Sequence, residues 1–106
     1  MDSIDKLKQL TAWEAEPVLT EDDLSELLNA ASLEDANGLA PLNEEWTPTY
    51  DLNAAAVAGW LIKAGRAAAT IDAPESGPIT SKMFDNCRTM ARIYAAKRKA
   101  SVTLGR

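Results

Sequence analysis

The sequence contains no histidine and one cysteine, Cys87. Zinc sites take their ligands mainly from cysteine and histidine, and the common Ser and Cys nucleophiles need a histidine base, so both kinds of site are excluded. A lone cysteine also cannot form an internal disulfide. Cys87 lies in a helical pattern with Met83, Met90 and Tyr94, and we expect it to be a buried small hydrophobic residue.

The chain has no apolar run of about 18 residues, the length from which a membrane-spanning helix is predicted. Its first residues, MDSIDKLKQL, lack the basic start and the apolar core of a signal peptide. We therefore expect a soluble protein with no membrane partner, synthesised in a reducing cytoplasm.

Phosphate-binding glycine patterns and clustered metal ligands are missing as well. Gly59 and Gly65 fall inside a predicted helix. The acidic run Glu21, Asp22 and Asp23 is better explained by the positive end of a helix dipole than by a metal site. We expect no catalytic residue, no cofactor and no metal ion.

The composition is that of one small globular domain. Of the 106 residues, 46% are hydrophobic and 25% are charged, which are ordinary values. We divide the chain into a single helical domain, residues 1–100, and an extended C-terminal tail, residues 101–106. Aromatic residues make up 6% of the chain, so Trp46 and Tyr50 in a segment without helical period need an explanation.

Charge is divided unevenly along the chain. Residues 1–53 hold 13 Asp or Glu and 2 Lys, whereas residues 54–106 hold 3 Asp or Glu and 9 Lys or Arg. The halves therefore carry net charges of −11 and +6. They could pair within one fold as surface salt bridges, or the acidic surface of one copy could face the basic surface of the next. The sequence leaves both interpretations open.

Two short helices are predicted in the first 33 residues, separated by a break at Pro17. The first has an apolar stripe of Ile4, Leu7 and Leu10. The second begins after Thr20, which fits an N-cap, with Asp23 completing a capping box. Its apolar stripe comprises Leu24, Leu27, Leu28 and Ala31.

Residues 34–50, EDANGLAPLNEEWTPTY, form the longest stretch without a regular period. Asn37-Gly38 closes the region of the second helix as a turn or a left-handed cap. Loops longer than about 12–15 residues are uncommon in compact domains and tend to be functional, so we interpret this segment as a contact element.

A helix of about five or six turns is predicted from Asp51 onwards, in DLNAAAVAGWLIKAGRAAATI. A helical projection places Lys63, Arg66 and Thr70 opposite the apolar face. That face comprises Ala54, Val57, Ala58, Leu61, Gly65 and Ala68. The helix is either a core helix of this chain or one that also packs on a neighbouring subunit.

The last part of the chain predicts a connector and a fourth helix. DAPESGPIT contains Pro74, Gly77 and Pro78, which disfavour a helix. The amphipathic pattern that follows, SKMFDNCRTMARIYAAKRKA, starts at a cap of Thr80 or Ser81 and ends in the basic run 97–99. Residues 101–104 could extend as a strand against a partner's edge. Together these elements predict an all-α fold, a small bundle of about four helices.

One segment carries a family resemblance. WTPTYDLNAAAVAGWLIKAGRAA, residues 46–68, with LTEDDLSELL before it and CRTMARIYAAKR after it, resembles the head-tail connector, or adaptor, proteins of tailed bacteriophages. The similarity spans about residues 17–98. Its most specific part is W-x-P-T-Y-D-L-N followed by GW-x-x-K-A-G.

The resemblance implies a structural virion protein without catalytic residues. Such proteins are helical bundles that form a dodecameric ring beneath the portal, prolong the DNA channel and link capsid to tail. The implied partners are the portal protein, copies of the chain itself, a tail-side stopper or tail terminator protein, and genomic DNA that passes without sequence specificity. The expected location is the neck of the virion, after synthesis in the bacterial host cytoplasm.

Two sets of site residues follow from this interpretation. Lys63 and Arg66 are expected to face the DNA channel. The expected interface with a subunit or the portal comprises Trp46, Tyr50, Trp60, Lys97, Arg98, Lys99, Leu104 and Arg106.

Two further expectations concern the aromatic residues Trp46 and Tyr50. Tyr50 is expected to fold back onto the first turns of the long helix. Trp46 is interpreted either as a lid over a thin core or as part of a surface that a neighbouring subunit covers.

The alternative is a monomeric helical regulator. Such a protein would bind nucleic acid or a host protein through the basic end of its last helix, and its DNA affinity would fall steeply with salt.

Overall fold

The computed structural model describes residues 2–71 and 78–98. These residues form four helices and no strand: α1 (Ser3–Thr11), α2 (Glu21–Ala30), α3 (Leu52–Ile71) and α4 (Pro78–Ala95). The predicted all-α bundle with a long central helix is confirmed. The expected tail, residues 101–106, lies outside the described residues, together with Lys99, Leu104, Arg106 and most of the connector.

Local signals set the starts of the first two helices. The Asp2 carboxylate accepts a hydrogen bond from the Asp5 amide and caps α1. At α2, Thr20 Oγ1 accepts from the Asp23 amide at 3.0 Å, and Asp23 Oδ2 accepts from the Thr20 amide at 2.8 Å. This reciprocal pair confirms the predicted capping box, which satisfies two amides that the helix itself leaves without partners.

The central helix α3 packs along α4 and also contacts α1 and α2. Apolar side chains from all four helices form the core. Its buried members are Leu7, Leu19, Leu24, Leu27, Ala55, Ala56, Val57, Trp60, Ala64, Cys87 and Ala91. The expected burial of Cys87 is therefore confirmed.

The buried face of α3 differs from the helical projection. Leu61 is 52% exposed, and Gly65 and Ala68 are also exposed, although all three belong to the predicted apolar face. Trp60 and Lys63 are buried instead. The projection failed because α3 is apolar around most of its circumference, so hydrophobicity does not identify the side that packs.

Helix α4 begins at Pro78, earlier than the predicted cap at Thr80 or Ser81. The prediction treated Pro78 as a helix breaker. Proline is nevertheless favoured at the first helical position, where the amide that it lacks has no partner in the helix anyway.

No helix in the described part of the chain has both the length and the hydropathy that crossing a bilayer requires.

Candidate interaction surfaces

No group of three or more Asp, Glu or Cys side chains in residues 2–71 and 78–98 is arranged to hold a metal ion. The features with distinctive chemistry are a loop, a groove between two helices, the basic end of α4 and two cations on α3. We call residues 34–50 the acidic loop.

The base of the acidic loop is tied by one buried carboxylate. Asp35 Oδ2 accepts from the Thr47 amide at 2.9 Å, while Oδ1 accepts from the amides of Asn37 and Leu39 at 2.8 and 2.9 Å. These bonds, the one from Thr47 first, hold the pKa of Asp35 below its ordinary value because they favour the charged form. A single side chain thus joins both ends of the loop.

Trp46 and Tyr50 close the same loop. Trp46 Nε1 donates to the Leu33 carbonyl at 2.9 Å, and its ring meets the Tyr50 ring edge to face, with centroids 5.8 Å apart. Tyr50 borders a surface groove with Ile4 and Leu28 of α1 and α2. Trp46 is half-buried and has partners within the chain, which favours a structural role for it. Whether a neighbouring subunit also covers the pair stays a prediction.

The tip of the acidic loop is a hydrogen-bonded turn. The Asn43 amide donates to the Ala40 carbonyl at 2.9 Å, which closes a β-turn with Pro41 in the second position. Proline is favoured there because its fixed φ suits the turn. Leu42 occupies the third position and is 98% exposed.

A second turn follows the first and carries the charge of the tip. Asn43 Oδ1 accepts from the Glu45 amide at 2.8 Å, and the Asn43 carbonyl accepts from the Trp46 amide at 3.0 Å. The side chains of Glu44 and Glu45 are exposed. The tip therefore presents one leucine beside two carboxylates on a backbone that is held by hydrogen bonds.

A groove between α3 and α4 has the opposite charge. Its volume is about 240 Å³, and it is lined by Val57, Leu61, Arg88, Ala91, Arg92 and Ala95. We call it the α3–α4 groove. This volume is below the roughly 300–1,000 Å³ of typical small-molecule sites, so the groove suits a single apolar side chain better than a cofactor. Leu61 is half exposed within it, and the two arginines lie at the surface.

The basic end of α4 is accessible. Lys97 and Arg98 are exposed, and Lys97 Nζ lies 5.4 Å from the Tyr94 ring centroid. The Lys97 carbonyl accepts a hydrogen bond from Asn53 Nδ2 at 3.3 Å, which holds this end beside the start of α3. The expected contact of Lys97 and Arg98 with a subunit or the portal stays a prediction.

Lys63 does not face solvent, and the expectation that it lines a channel is wrong. It is 1% exposed, and its Nζ donates to the carbonyls of Thr11 and Ala12 at 2.8 and 2.6 Å. The same nitrogen lies 4.5 Å from the Trp60 ring centroid. Burial lowers the pKa of Lys63 because it disfavours the charged form. The amine reaches inwards to the end of α1, where helical amides no longer supply partners for the carbonyls. The Ala12 carbonyl also accepts from the Ala15 amide at 2.9 Å.

Trp60 is also a core residue, so its expected interface role is wrong. Only 6% of it is exposed, and its Nε1 donates to the Leu10 carbonyl at 3.0 Å. A side chain enclosed by its own chain in this way offers little area to a partner.

Arg66 is at the surface but already has partners. Its guanidinium binds both oxygens of Asp23, at 2.8 and 3.2 Å, and the Val18 carbonyl at 2.9 Å. The bond with Arg66, and next the Thr20 amide, hold the pKa of Asp23 well below its usual range. Arg66 thus joins the basic half of the chain to the acidic half. Its expected contact with DNA stays a prediction.

Leu42, Asp35 and the residues of the α3–α4 groove were not among the interface residues expected from the sequence. Leu42 carried a weak signal, since it is a lone large apolar residue in a polar segment after a proline.

No protein-family model, curated protein or solved structure matches the chain, so these surfaces are interpreted from their own residues.

Proposed function

We propose that the chain is a structural virion protein, a head-tail connector that assembles as a ring beneath the portal and links capsid to tail. In this role it prolongs the channel through which the genome passes. The resemblance over residues 17–98 supports the proposal, as does a small helical bundle of the kind that the resemblance implies.

The observation that carries self-association is the separation of charge on the folded chain. The exposed tip of the acidic loop holds Glu44 and Glu45, whereas the exposed edge of the α3–α4 groove holds Arg88 and Arg92. The two surfaces come from different elements of one subunit. Complementary surfaces of this kind set register and partner choice between copies, and contacts between unlike surfaces close into rings when the rotation allows it.

The other proposed partners are the portal, a tail-side stopper or tail terminator protein and genomic DNA. Lys97 and Arg98 supply an exposed cationic end for the portal or for phosphates. Contacts with passing DNA would be electrostatic, since the path must accept any sequence.

The test is the mass of the purified protein alone and after mixing with the portal protein of the same virus. A ring-sized complex that forms with portal, and density for the four helices next to the portal in imaged virions, are the expected results. A protein that neither binds portal nor occurs in purified virions would contradict the proposal.

A second candidate function uses the accessible basic end of α4. In it the chain is a monomeric regulator that binds nucleic acid or a host protein through Lys97 and Arg98. It predicts a DNA affinity that falls steeply with salt and is lost in a Lys97→Ala, Arg98→Ala double variant. Absence of any salt-dependent binding would exclude the nucleic-acid form.

A further inference from the structure

We infer that the tip of the acidic loop of one copy docks into the α3–α4 groove of a second copy, with Leu42 in the apolar floor and Glu44 and Glu45 facing Arg88 and Arg92. The inference rests on the self-association proposed above and names the contact that produces it.

The loop tip has the form of a preformed ligand. Leu42 is 98% exposed, so its side chain adds almost nothing to the core of its own chain. The turn beneath it is closed by the bond between Ala40 and Asn43, and Asp35 ties the base of the loop. A side chain held on an ordered turn loses little conformational entropy on binding, which favours association.

The groove complements this tip in shape and charge. Its floor is formed by small or aliphatic side chains, and Leu61 is 52% exposed there. Arg88 and Arg92 are four residues apart on α4 and therefore project from the same face of the helix. Two guanidinium groups beside an apolar pocket match a leucine followed by two carboxylates, because arginine binds carboxylates in a directional, bidentate manner.

The contact joins unlike surfaces, so it is head to tail. Each copy offers its loop to one neighbour and its groove to another, and repetition gives a ring or an open chain. One leucine and two ion pairs bury less than the roughly 1,200 Å² of stable protein interfaces. A pair of copies should therefore bind weakly, and closure of a ring should strengthen the assembly through multivalency.

The test exploits the two separate surfaces. Leu42→Glu removes the loop contact but leaves the groove, and Leu61→Glu disables the groove but leaves the loop. Each variant alone should be monomeric by sedimentation at concentrations where the wild type associates. A mixture of the two should form a one-to-one dimer, since one intact loop and one intact groove remain.

The weak contact can be mapped by NMR. Labelled Leu42→Glu protein titrated with unlabelled Leu61→Glu protein should show shifts at Val57, Ala91 and Ala95. Ile93→Glu is the control, because Ile93 is 42% exposed on α4, one of the two helices that form the groove, and is not among the groove residues. It should leave association unchanged. Circular dichroism of every variant checks that the fold is kept.

Charge reversal tests the pairing of the ions. Glu44→Lys with Glu45→Lys, and separately Arg88→Glu with Arg92→Glu, should each weaken association by about tenfold or more. A mixture of the two double variants should recover most of that loss, because the native loop of one variant meets the native groove of the other and the reversed loop meets the reversed groove.

Three outcomes would overturn the inference: a wild type that stays monomeric at millimolar concentration, a mixture of Leu42→Glu and Leu61→Glu that does not pair, or equal weakening by Ile93→Glu. A portal complex formed by a chain without this contact would leave the proposed function standing. Self-association through this contact by a chain absent from virions would contradict only the proposed function.

Discussion

The amine of Lys63 lies 2.6 Å from the carbonyl oxygen of Ala12, the residue that ends α1 in a left-handed conformation with φ 46°. Alanine in that region costs about 1–2 kcal/mol relative to the right-handed helix. The last carbonyls of a helix lack helical partners and carry the negative end of its dipole, so a buried cation stabilises them. A residue of α3 thereby binds the C-terminal end of α1.

Replacement of Lys63 by methionine tests this role. Methionine fills similar space but removes the amine that the Thr11 and Ala12 carbonyls bind, and only Ala12 keeps a further donor that the structure shows, the Ala15 amide at 2.9 Å. The free energy of unfolding should therefore fall by about 1–3 kcal/mol. Denaturant unfolding measures the change. Lys82→Met, an exposed site on α4, should change it by less than about 0.5 kcal/mol. Equal stability of both variants would mean that the carbonyls find other partners.

The Arg66–Asp23 pair should govern part of the loss of stability at low pH. The pKa of Asp23 is lowered from an ordinary 3.8, first by the Arg66 hydrogen bond and next by the Thr20 amide. A carboxyl whose folded pKa lies below its unfolded pKa contributes its full stability above the unfolded pKa, and loses it as the pH falls towards the folded value. Asp23→Asn should therefore flatten the loss of stability below about pH 5.

Urea unfolding at a series of pH values gives this profile. Asp22→Asn is the control, because Asp22 is the neighbouring exposed carboxylate at the same helix start. Superimposable profiles for the wild type and Asp23→Asn would refute the role of this pair.

The two glycines of α3 should respond oppositely to alanine. A Cβ at Gly59 would lie 2.8 Å from Thr11 Cγ2, whereas at Gly65 it would meet nothing within 4 Å. Thr11 cannot move aside easily, since it is fully buried and its Oγ1 donates to the Leu7 carbonyl at 2.8 Å.

Gly59→Ala should therefore lower the free energy of unfolding by about 1–3 kcal/mol through overpacking. Gly65→Ala should raise it by about 0.5–1 kcal/mol, because alanine loses less backbone entropy in a helix. Thermal unfolding of the two variants compares them directly. The same sign for both would contradict the packing around Gly59.

Asp35 should control the order of the acidic loop. Asp35→Ala removes the acceptor of three amides, those of Asn37, Leu39 and Thr47, so their hydrogen exchange should accelerate. Glu34→Ala, at the exposed neighbour, should leave the exchange unchanged. NMR measures the hydrogen-exchange rates of the three amides in the wild type and in both variants. Unaltered protection of these amides in Asp35→Ala would show that other contacts hold the loop.

Helix positions could be predicted from the sequence because their signals are local. Thr20 and Asp23 are three residues apart and form the capping box wherever the rest of the chain lies. The buried side of α3 depends instead on distant contacts. Lys63 is buried because α1 ends beside it, more than 50 residues earlier in the chain, and no periodicity within α3 contains that information.

The candidate surfaces were harder to predict for the same reason. In the sequence Leu42 looks like any leucine in a loop. Its exposure depends on the hydrogen bond between Asp35 and the Thr47 amide, which are 12 residues apart, and this bond holds the base of the loop. The α3–α4 groove requires residues of two helices whose mutual rotation the sequence pattern does not fix. The segregation of charge could be read directly, because it is a property of composition along the chain.

The turn at residues 40–43 is closed between backbone atoms, and its base is tied by a carboxylate seven residues before Leu42. Side chains at the tip can therefore change without disturbing the helices. In the docking proposed above, one or two substitutions at the tip would therefore change the contact with a neighbouring copy without touching the residues that make the chain fold.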